Sequence, residues 1–332
     1  MERLRMGVLG CSTHYALRVG IPLKSSLLVE PYAVASRDAG KAGKYAEFLN
    51  FTEAYDSYDK LLADPRVDFI YCPLPNHLHG EYIKKAADAG KPILCEKPLG
   101  LNARDAAEAA EYCQKKGILL MEAFMYRFHP QWIRAAEIIK SGELGKIMTT
   151  QGIFTYNNTN PANIRNIAAY GGGGILDIGC YTVSTARFIQ GAEPLGVICK
   201  LLRDPASQVD VLASALLDFG DGRTSSFTVG TQTFPWQKVI ALGTGGCLTV
   251  ELPFNMYGDC PGQLSVSTGV GKRLVETEIA DQYLLEFDAF AEAIINKTEA
   301  PIPISDAIAN MAVLDALFAS AASGKWEPVQ KY

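Results

Sequence analysis

The chain of 332 residues is 48% hydrophobic and 20% charged, with a formal net charge of −5 at pH 7. This length favours two domains with sizeable cores, and the composition is ordinary for a soluble globular enzyme. The acidic balance argues against a nucleic-acid partner, which requires a basic face. No apolar run approaches membrane-spanning length, which argues against a membrane partner.

The cysteines and histidines predict neither disulfides nor a metal site. Eight cysteines are scattered without a Cys-x-x-Cys pair, a pattern that indicates buried thiols in a reducing cytoplasm. Four histidines, at positions 14, 77, 79 and 129, lack His-x-x-x-His spacing, so we expect no metal. Because Met1–Arg5 leads directly into an apolar segment, no room remains for a secretory signal, and we predict a cytoplasmic protein.

The first predicted strand, Leu4–Leu9, is followed by Gly10 and a predicted helix that ends near Ser26. Strand, glycine turn and helix form the context of a dinucleotide fingerprint. Gly10 fits the first glycine, but Ser12 stands at the second position and no glycine stands at the third. A serine still lets the backbone approach a pyrophosphate, and the helix N-terminus offers free amides. The predicted pyrophosphate-binding residues are Gly10, Cys11, Ser12, Thr13 and His14.

The tip of the second predicted strand, Tyr32–Ala35, selects the cofactor. A carboxylate there binds the ribose hydroxyls of NAD, whereas an arginine accommodates the 2′-phosphate of NADP. Here Ser36 and Arg37 come first, with Lys41 one helical turn later, and arginine forks onto phosphate with two donors. We therefore favour NADP(H) over NAD(H). Asp38 keeps NAD open, and the alternative for Arg37 is a solvent-exposed residue at a helix start.

The third strong strand, Val67–Pro73, ends in a turn beside the expected cofactor site. We expect Pro73, Leu74, Asn76 and His77 to contact the ribose or the nicotinamide. The alternative for Asn76 is the N-cap of the next helix, predicted from about Leu78 to Ala89.

A short apolar strand, Pro92–Glu96, ends in Glu96-Lys97-Pro98. Open α/β sheets bind ligands at the carboxyl ends of their strands, and a residue before proline is held extended. Glu96 and Lys97 are therefore predicted at the cofactor and substrate site, with Lys97 held stiffly; the alternative is a surface lysine. With a helix at 102–116 and a strand at 118–124, residues 1–124 form a doubly wound parallel sheet, a Rossmann cofactor domain.

Residues 125–332 have a different pattern, in which long alternating strands dominate from Lys146 to Tyr156 and from Leu195 to Val275. Turns such as Asp221-Gly222 indicate hairpins. We predict a large, mostly antiparallel open sheet with helices on one face, which binds substrate. The other face is expected to contact a second subunit, giving a homodimer or homotetramer.

Four glycines, Gly171–Gly174, precede an apolar helix that carries Asp177 and Tyr181. The two are four residues apart and share a helix face, and Asp177 lies in the first turn, where the helix dipole favours an anion. An acid and a phenol after a glycine hinge suit proton transfer. The alternative is structural, with Asp177 as a first-turn charge and Tyr181 as a packing residue.

Together these segments resemble the Gfo/Idh/MocA oxidoreductase family, and the likeness covers nearly the whole chain. The matching stretches are 95–99 (Cys-Glu-Lys-Pro-Leu), 121–124 (Met-Glu-Ala-Phe), 172–174 with 177–181, and Gly243-Thr244-x-Gly246. Tyr181 stands where most members have a histidine, as in the branch of glucose–fructose oxidoreductase and dimeric dihydrodiol dehydrogenase. Ser12 departs from the fingerprint, and the lack of an export signal or proline-rich arm argues against glucose–fructose oxidoreductase itself.

The resemblance implies reversible hydride transfer between NADP(H) and a carbinol carbon of a sugar, polyol or cyclic diol. It makes Lys97, Tyr181 and Asp177 catalytic, and the ammonium of Lys97 would favour the phenolate of Tyr181. Asp177 would touch the substrate and orient its hydroxyl, or act as the base if Tyr181 is misplaced. Sugar 1-dehydrogenase, ketosugar or anhydrosugar reductase and dihydrodiol dehydrogenase remain open, as does a non-catalytic NADP(H)-binding sensor. The expected substrate contacts are Lys97, Tyr126, Arg127, Tyr156, Arg165, Asp177 and Tyr181, with Asn166 and His129 as further candidates.

Overall fold

A computed structural model describes residues 3–332, which divide into two compact units. The first unit is the chain through Met125 together with Asp281–Ile308, and the second is Tyr126–Ala280 with Ala309–Tyr332. The strands are β1 (Leu4–Leu9), β2 (Val29–Ala35), β3 (Glu53–Tyr55), β4 (Phe69–Cys72), β5 (Ile93–Glu96), β6 (Leu120–Ala123), β7 (Ile147–Asn157), β8 (Gly196–Arg203), β9 (Asp210–Gly220), β10 (Arg223–Gly230), β11 (Gln232–Gly243), β12 (Gly246–Val250), β13 (Pro261–Thr268), β14 (Gly271–Ile279) and β15 (Glu327–Pro328). The α-helices are α1 (Ala39–Leu49), α2 (Tyr58–Leu62), α3 (His79–Asp88), α4 (Ala103–Lys116), α5 (Pro130–Lys140), α6 (Cys180–Gln190), α7 (Gln282–Asn296) and α8 (Ile304–Ser323).

The first sheet has the strand order β3-β2-β1-β4-β5-β6, and every pairing in it is parallel. The central strand β4 is buried at each residue, as expected for a strand covered on both faces. The predicted doubly wound parallel sheet is confirmed. The strand order reverses beside β1, so β1, β4 and β5 end at the edge where such sheets bind ligands.

One local prediction for this unit was wrong, and one strand was not predicted. In place of one helix to Ser26, the structure has a π-helical turn, Tyr15–Val19, and a 3₁₀ turn, Pro22–Ser25. Pro22 lacks the N–H that an α-helix needs and therefore ends the regular pattern. The three-residue strand β3 was not predicted, because an edge strand this short carries no readable alternation.

The predicted division at residue 124 differs from the structure at α7, which packs with the first unit. Its Phe290 ring lies 5.8 Å from that of Phe69, and its Phe287 ring lies 4.9 Å from that of Tyr71. Burial of aromatic area against β4 holds this helix, a long-range contact that the local pattern does not encode.

The second sheet has nine strands in the order β14-β13-β12-β11-β7-β10-β9-β8-β15. Its pairings are antiparallel except for β10 with β7, as predicted for a mostly antiparallel sheet. Gly152 of β7 faces Thr182 of α6, so this face carries helices. On the opposite face of the same strands lie Ile153 and Leu216, which are 37% and 36% exposed.

The prediction that no apolar run approaches membrane-spanning length is wrong for helix α8. Its 20 residues are long and apolar enough by length and composition, and half of the apolar window is buried within the protein. Fully or almost fully buried residues such as Met311, Leu314 and Leu317 are those of a core helix of a globular protein.

Candidate active site

The turn after β1 is built around one glycine and two tyrosines. Gly10 has φ +102°, and a Cβ there would lie 3.2 Å from Cδ2 of Leu74, so the position requires glycine. The hydroxyl of Ser12 accepts a hydrogen bond from the Tyr15 N–H at 3.0 Å, and the Tyr45 hydroxyl donates to the Ser12 carbonyl at 2.6 Å. Side-chain bonds therefore hold the turn where the fingerprint has its second glycine.

The segment after β2 carries the predicted cofactor-selecting residues. Asp38 is the N-cap of α1, and its Oδ1 accepts from the Lys41 N–H at 3.0 Å. The Ser36 hydroxyl accepts from the Asp38 N–H at 3.2 Å, while Arg37 and Lys41 are exposed. The carboxylate is thus engaged by the helix cap, and the cations face solvent. A surface cleft here also includes residues that the sequence analysis missed, Lys44, Tyr45 and Phe48.

The turn after β4 contains Pro73, Leu74, Asn76 and His77, as predicted. Asn76 begins a 3₁₀ turn, Asn76–Leu78, and the N-cap of α3 is Leu78, which makes no side-chain capping bond. The capping alternative for Asn76 is therefore wrong, because the 3₁₀ turn moves the start of the helix to His79.

The Glu96-Lys97-Pro98 turn lies directly after β5, with Lys97 half-buried. Oε1 of Glu96 accepts from the Tyr71 hydroxyl at 2.6 Å, and Nε2 of His14 lies 3.8 Å from the same oxygen. Burial raises the pKa of Tyr71, and the charge of Glu96 raises it further, so Tyr71 acts as a donor. His14, from the predicted pyrophosphate-binding turn, and the turn that carries Lys97 therefore lie at the same edge of the first sheet.

Glu286 of α7 forms part of this edge and was not predicted. It is 1% exposed, and its neighbours on the same helix face, Tyr283 and Phe287, contact the rings of His14 and Tyr71. Burial raises the pKa of Glu286 well above its usual range, and the charge of Glu96 adds to this effect. Both effects favour the protonated, neutral form of the Glu286 carboxyl group.

In the second unit, three predicted residues form one polar cluster. Oδ2 of Asp177 accepts from the Tyr156 hydroxyl at 2.7 Å and from Nε of Arg165 at 3.0 Å. Asp177 is the largest cause of the raised pKa of Arg165, to which Tyr156 and Tyr181 also contribute. Burial raises the pKa of Tyr156, and the adjacent Asp177 charge acts in the same direction. An aspartate held by a cation and a phenol is a preorganised acceptor for a hydroxyl group.

Tyr181 is 6% exposed and lies in an aromatic cluster. Its ring centre lies 5.6 Å from that of Phe154, 5.3 Å from that of Phe254 and 6.0 Å from that of Tyr126. Phe154 and Phe254 were not predicted as part of the site. The alternation of β7, which places Phe154 on the inner face of the sheet, is the sequence signal that could have identified Phe154. Such packing fixes the direction of the phenol.

Three predicted candidates have other surroundings. The guanidinium of Arg127 lies 4.4 Å from the centre of the Phe188 ring, a cation–π contact on α6. His129 is the N-cap of α5, with Nδ1 accepting from the Gln131 N–H at 3.1 Å. Asn166 donates to the carbonyls of Asn158 and Asn160 and so supports the loop that carries Arg165.

The glycine run packs closely against other segments at the start of the Asp177 helix, which is the π-helical turn Ile175–Gly179 continued by α6. Gly173 has φ +117°, and a Cβ there would collide with Oδ1 of Asp210, whose Oδ2 accepts from the Ile175 N–H at 2.6 Å. Gly172 lies against the carbonyl of Arg165 with no room for a side chain. The glycine run therefore lets the Arg165 loop, Asp210 and the start of the Asp177 helix pack together. A hinge was predicted at this position.

Among residues 3–332, no cluster of three or more His, Cys, Asp or Glu side chains is arranged to hold a metal ion. The eight cysteines are free thiols, five of them buried.

Comparisons with known proteins match both units. Residues 4–124 match the Gfo/Idh/MocA description "oxidoreductase family, NAD-binding Rossmann fold", and residues 132–249 match the Gfo/Idh/MocA C-terminal domain. An uncharacterized oxidoreductase of Rhizobium meliloti is 36% identical, over 99% of this chain and 100% of its own length.

Two further relatives are named for an activity. The D-xylose 1-dehydrogenase (NADP(+)) 2 of Haloferax volcanii is 35% identical over 97% of this chain and 98% of its own. The crystal structure of a 3-ketoreductase from Actinomadura kijaniata in complex with NADP and TDP-benzene has a TM-score of 0.91 and 29% identity, over 96% of this chain and 98% of its own.

Proposed function

The chain belongs to the Gfo/Idh/MocA oxidoreductase family, and we propose that it transfers a hydride reversibly between NADP(H) and a carbinol or carbonyl carbon of a sugar, polyol or cyclic diol. The observation that carries this proposal is the cluster in which Asp177, four residues before Tyr181, accepts hydrogen bonds from Tyr156 and Arg165. A carboxylate, a phenol and a guanidinium suit a polyhydroxylated substrate, because each of its hydroxyls both donates and accepts.

The residues at the carboxyl edge of the first sheet fit a dinucleotide. When bound, the nicotinamide group supplies or accepts the hydride. The backbone of the Gly10 turn would face the pyrophosphate, and Ser36, Arg37 and Lys41 would face the adenosine phosphate. NADP is favoured because Asp38 is engaged as a helix cap while two cations are exposed. The names of the xylose dehydrogenase and the ketoreductase complex, which mention NADP, support the same choice.

Tyr181 is proposed as the acid and base for the hydroxyl proton. A free phenol has a pKa of about 10 and is a poor base near neutrality. An ammonium group nearby favours the phenolate, and we assign this role to Lys97, which also positions the substrate. Asp177, held by Arg165 and Tyr156, would orient the reacting hydroxyl.

A substrate panel followed by NADPH absorbance tests the proposal. Aldoses including D-xylose, ketosugars, inositols and trans-cyclohexadiene diols should include at least one substrate with NADP⁺ or NADPH. Tight NADPH binding without turnover of any member would instead favour a non-catalytic sensor.

Two variants test the assigned residues. Lys97→Ala and Tyr181→Phe should each lower kcat by roughly 10²- to 10⁴-fold with NADPH affinity retained, because they remove a proton-transfer group or its activator. The matched control is Tyr112→Phe, which removes a surface hydroxyl bonded to Asp88 at 2.7 Å and should leave kcat unchanged. Near-normal turnover of both site variants would refute the mechanism.

We further propose a homodimer formed through the helix-free face of the second sheet. Leu202, Leu216 and Trp236 are exposed on this face at 59%, 36% and 52%, among threonines and serines. An exposed face that is mainly apolar and hydroxylic, although it also carries Lys200 and Lys238, fits an identical face on a second copy. The double variant Ile153→Lys with Leu216→Lys should sediment as a monomer, whereas Leu27→Lys on the first unit should not change the assembly; an unchanged mass would contradict the proposal.

A further inference from the structure

His79, the first residue of α3, is completely buried and its ring lies between two backbone carbonyls of the first unit. Nδ1 lies 2.9 Å from the carbonyl oxygen of Pro98, and Nε2 lies 2.7 Å from that of Leu74. Carbonyl oxygens only accept hydrogen bonds, so each contact becomes a bond when the facing nitrogen carries a proton. A doubly protonated ring makes both bonds, whereas a neutral ring makes one bond and packs against the other carbonyl, so either form bridges the two segments.

Two buried side chains hold the peptide unit between Pro98 and Leu99, and the contact of His79 with Pro98 is one of these two interactions. The C=O of Pro98 and the N–H of Leu99 belong to the same peptide plane, and the Leu99 N–H donates to Oε1 of Glu122 at 2.8 Å. Glu122 is 2% exposed, so both ends of this plane are held by buried side chains from separate elements, α3 and β6. This plane follows Pro98, one residue beyond Lys97, so its orientation constrains the turn that carries Lys97.

The second contact of His79, with the carbonyl of Leu74, is made to the turn that is expected to bind the cofactor. Leu74 lies in the turn after β4, and its side chain lies against Gly10 of the nucleotide turn. His79 therefore connects the segment expected to contact the dinucleotide with the turn that carries Lys97, through a single rigid ring. His129 is different, because its ring accepts from a backbone N–H and caps a helix.

We propose that His79 is a positioning residue that couples the Leu74 turn, and with it the bound dinucleotide, to the placement of Lys97. The inference rests on the proposed function, since Lys97 is assigned its role there. Burial lowers the pKa of His79, whereas the two carbonyls and Glu96 raise it and Lys97 lowers it further. His79 itself contacts backbone carbonyls and not the reacting groups.

Two amide variants separate the bonds. The amide nitrogen of asparagine occupies the place of Nδ1, and that of glutamine the place of Nε2. His79→Asn should keep the Pro98 bond, retain kcat and weaken NADPH binding by roughly 10-fold, as expected for a lost coupling. His79→Gln should keep the Leu74 bond and NADPH affinity but lower kcat by roughly 10- to 100-fold, because a small misplacement of Lys97 is costly.

Lys91→Met is the matched control. Nζ of Lys91 is also buried and donates to two backbone carbonyls, those of Asp64 at 2.8 Å and Val67 at 2.6 Å, but it precedes β5 at the opposite edge of the sheet. This variant should lose stability while keeping kcat and NADPH affinity. Glu122→Met provides a second arm independent of His79, and it should reproduce the kcat loss of His79→Gln.

Weaker NADPH binding with normal kcat in His79→Asn, together with a lower kcat and normal NADPH binding in His79→Gln, would support the coupling. Equal losses in both that follow thermal stability, or wild-type values in both, would overturn it. If the wild type turns over a substrate but the variants do not differ, the inference fails and the proposed function stands. If no substrate is turned over, the NADPH affinities still decide, since only His79→Asn should weaken binding.

Discussion

At the scale of single residues, the proposed preference for NADP over NAD depends on which side chains beyond β2 already make hydrogen bonds within the protein. Oδ1 of Asp38 accepts the Lys41 N–H at the start of α1, whereas the side chains of Arg37 and Lys41 are exposed. A carboxylate committed to a helix cap is a weaker ligand for ribose hydroxyls, and an arginine fork matches a phosphate. The residue types favoured NADP and left NAD open, and the capping bond supports the proposed choice of NADP.

Replacing Arg37 tests this preference. Arg37→Ala should raise the Kd for NADPH by roughly 10- to 100-fold, the value of a charge-assisted hydrogen bond, and leave that for NADH nearly unchanged. Fluorescence titration of both cofactors measures the ratio. Arg104→Ala, which removes an exposed arginine paired with Glu108, is the control. An equal loss for NADH and NADPH would assign Arg37 a structural role.

At the scale of elements, the start of the Asp177 helix depends on a carboxylate brought from β9. Asp210 is 1% exposed and accepts the Ile175 N–H, which satisfies a helix-end donor and uses the helix dipole. Burial raises the pKa of Asp210 to about 6, and the backbone donors at 174 and 175 offset part of this rise. The glycines exist so that this carboxylate and the Arg165 loop can approach the backbone.

Gly173→Ala should destabilise the second unit by roughly 1–3 kcal/mol, because alanine at φ +117° is strained and its Cβ meets Asp210. Urea unfolding followed by circular dichroism measures the change. Gly43→Ala in α1 is the control, since nothing lies within 4 Å of its Cβ position, and it should stabilise by roughly 0.5–1 kcal/mol. Equal effects of the two substitutions would refute the close-packing explanation.

At the scale of the whole molecule, two buried groups give opposite pH dependences of stability. Burial lowers the pKa of His129 to about 4 from its usual 6.5, so its contribution is present above 6.5 and lost as the pH falls through 4. Asp210 has its pKa raised from 3.8 to about 6, so its contribution is present below 3.8 and lost as the pH rises through 6. Each is worth about 3 kcal/mol, and the two largely offset one another.

Single substitutions should reveal each contribution. His129→Asn keeps a capping oxygen but cannot be protonated, so between pH 6.5 and 4 it should lose less stability than wild type, by up to about 3 kcal/mol. Asp210→Asn should change the slope in the opposite direction over the same range. Free energies of unfolding from urea titrations at several pH values provide the measurement, and curves parallel to wild type would contradict the assignment.

The sequence by itself determined the features that local pattern encodes. The apolar runs of β1, β2 and β5 and the turns that follow them placed Gly10, Arg37 and Lys97 at one edge of a parallel sheet. The alternation after Lys146 gave the antiparallel sheet, and the motifs around Lys97 and Asp177 gave the family, which the comparisons confirmed. These signals are readable because side-chain periodicity follows from backbone geometry.

Only the tertiary structure decided what surrounds those residues. The approach of Asp210 to Gly173, the cluster of Phe154 and Phe254 around Tyr181, Glu286 behind Glu96 and the ring of His79 between two turns all join segments distant in the chain. Such contacts arise from close packing and from the need to satisfy buried polar groups, which depend on the whole fold. No stretch of neighbouring residues encodes them.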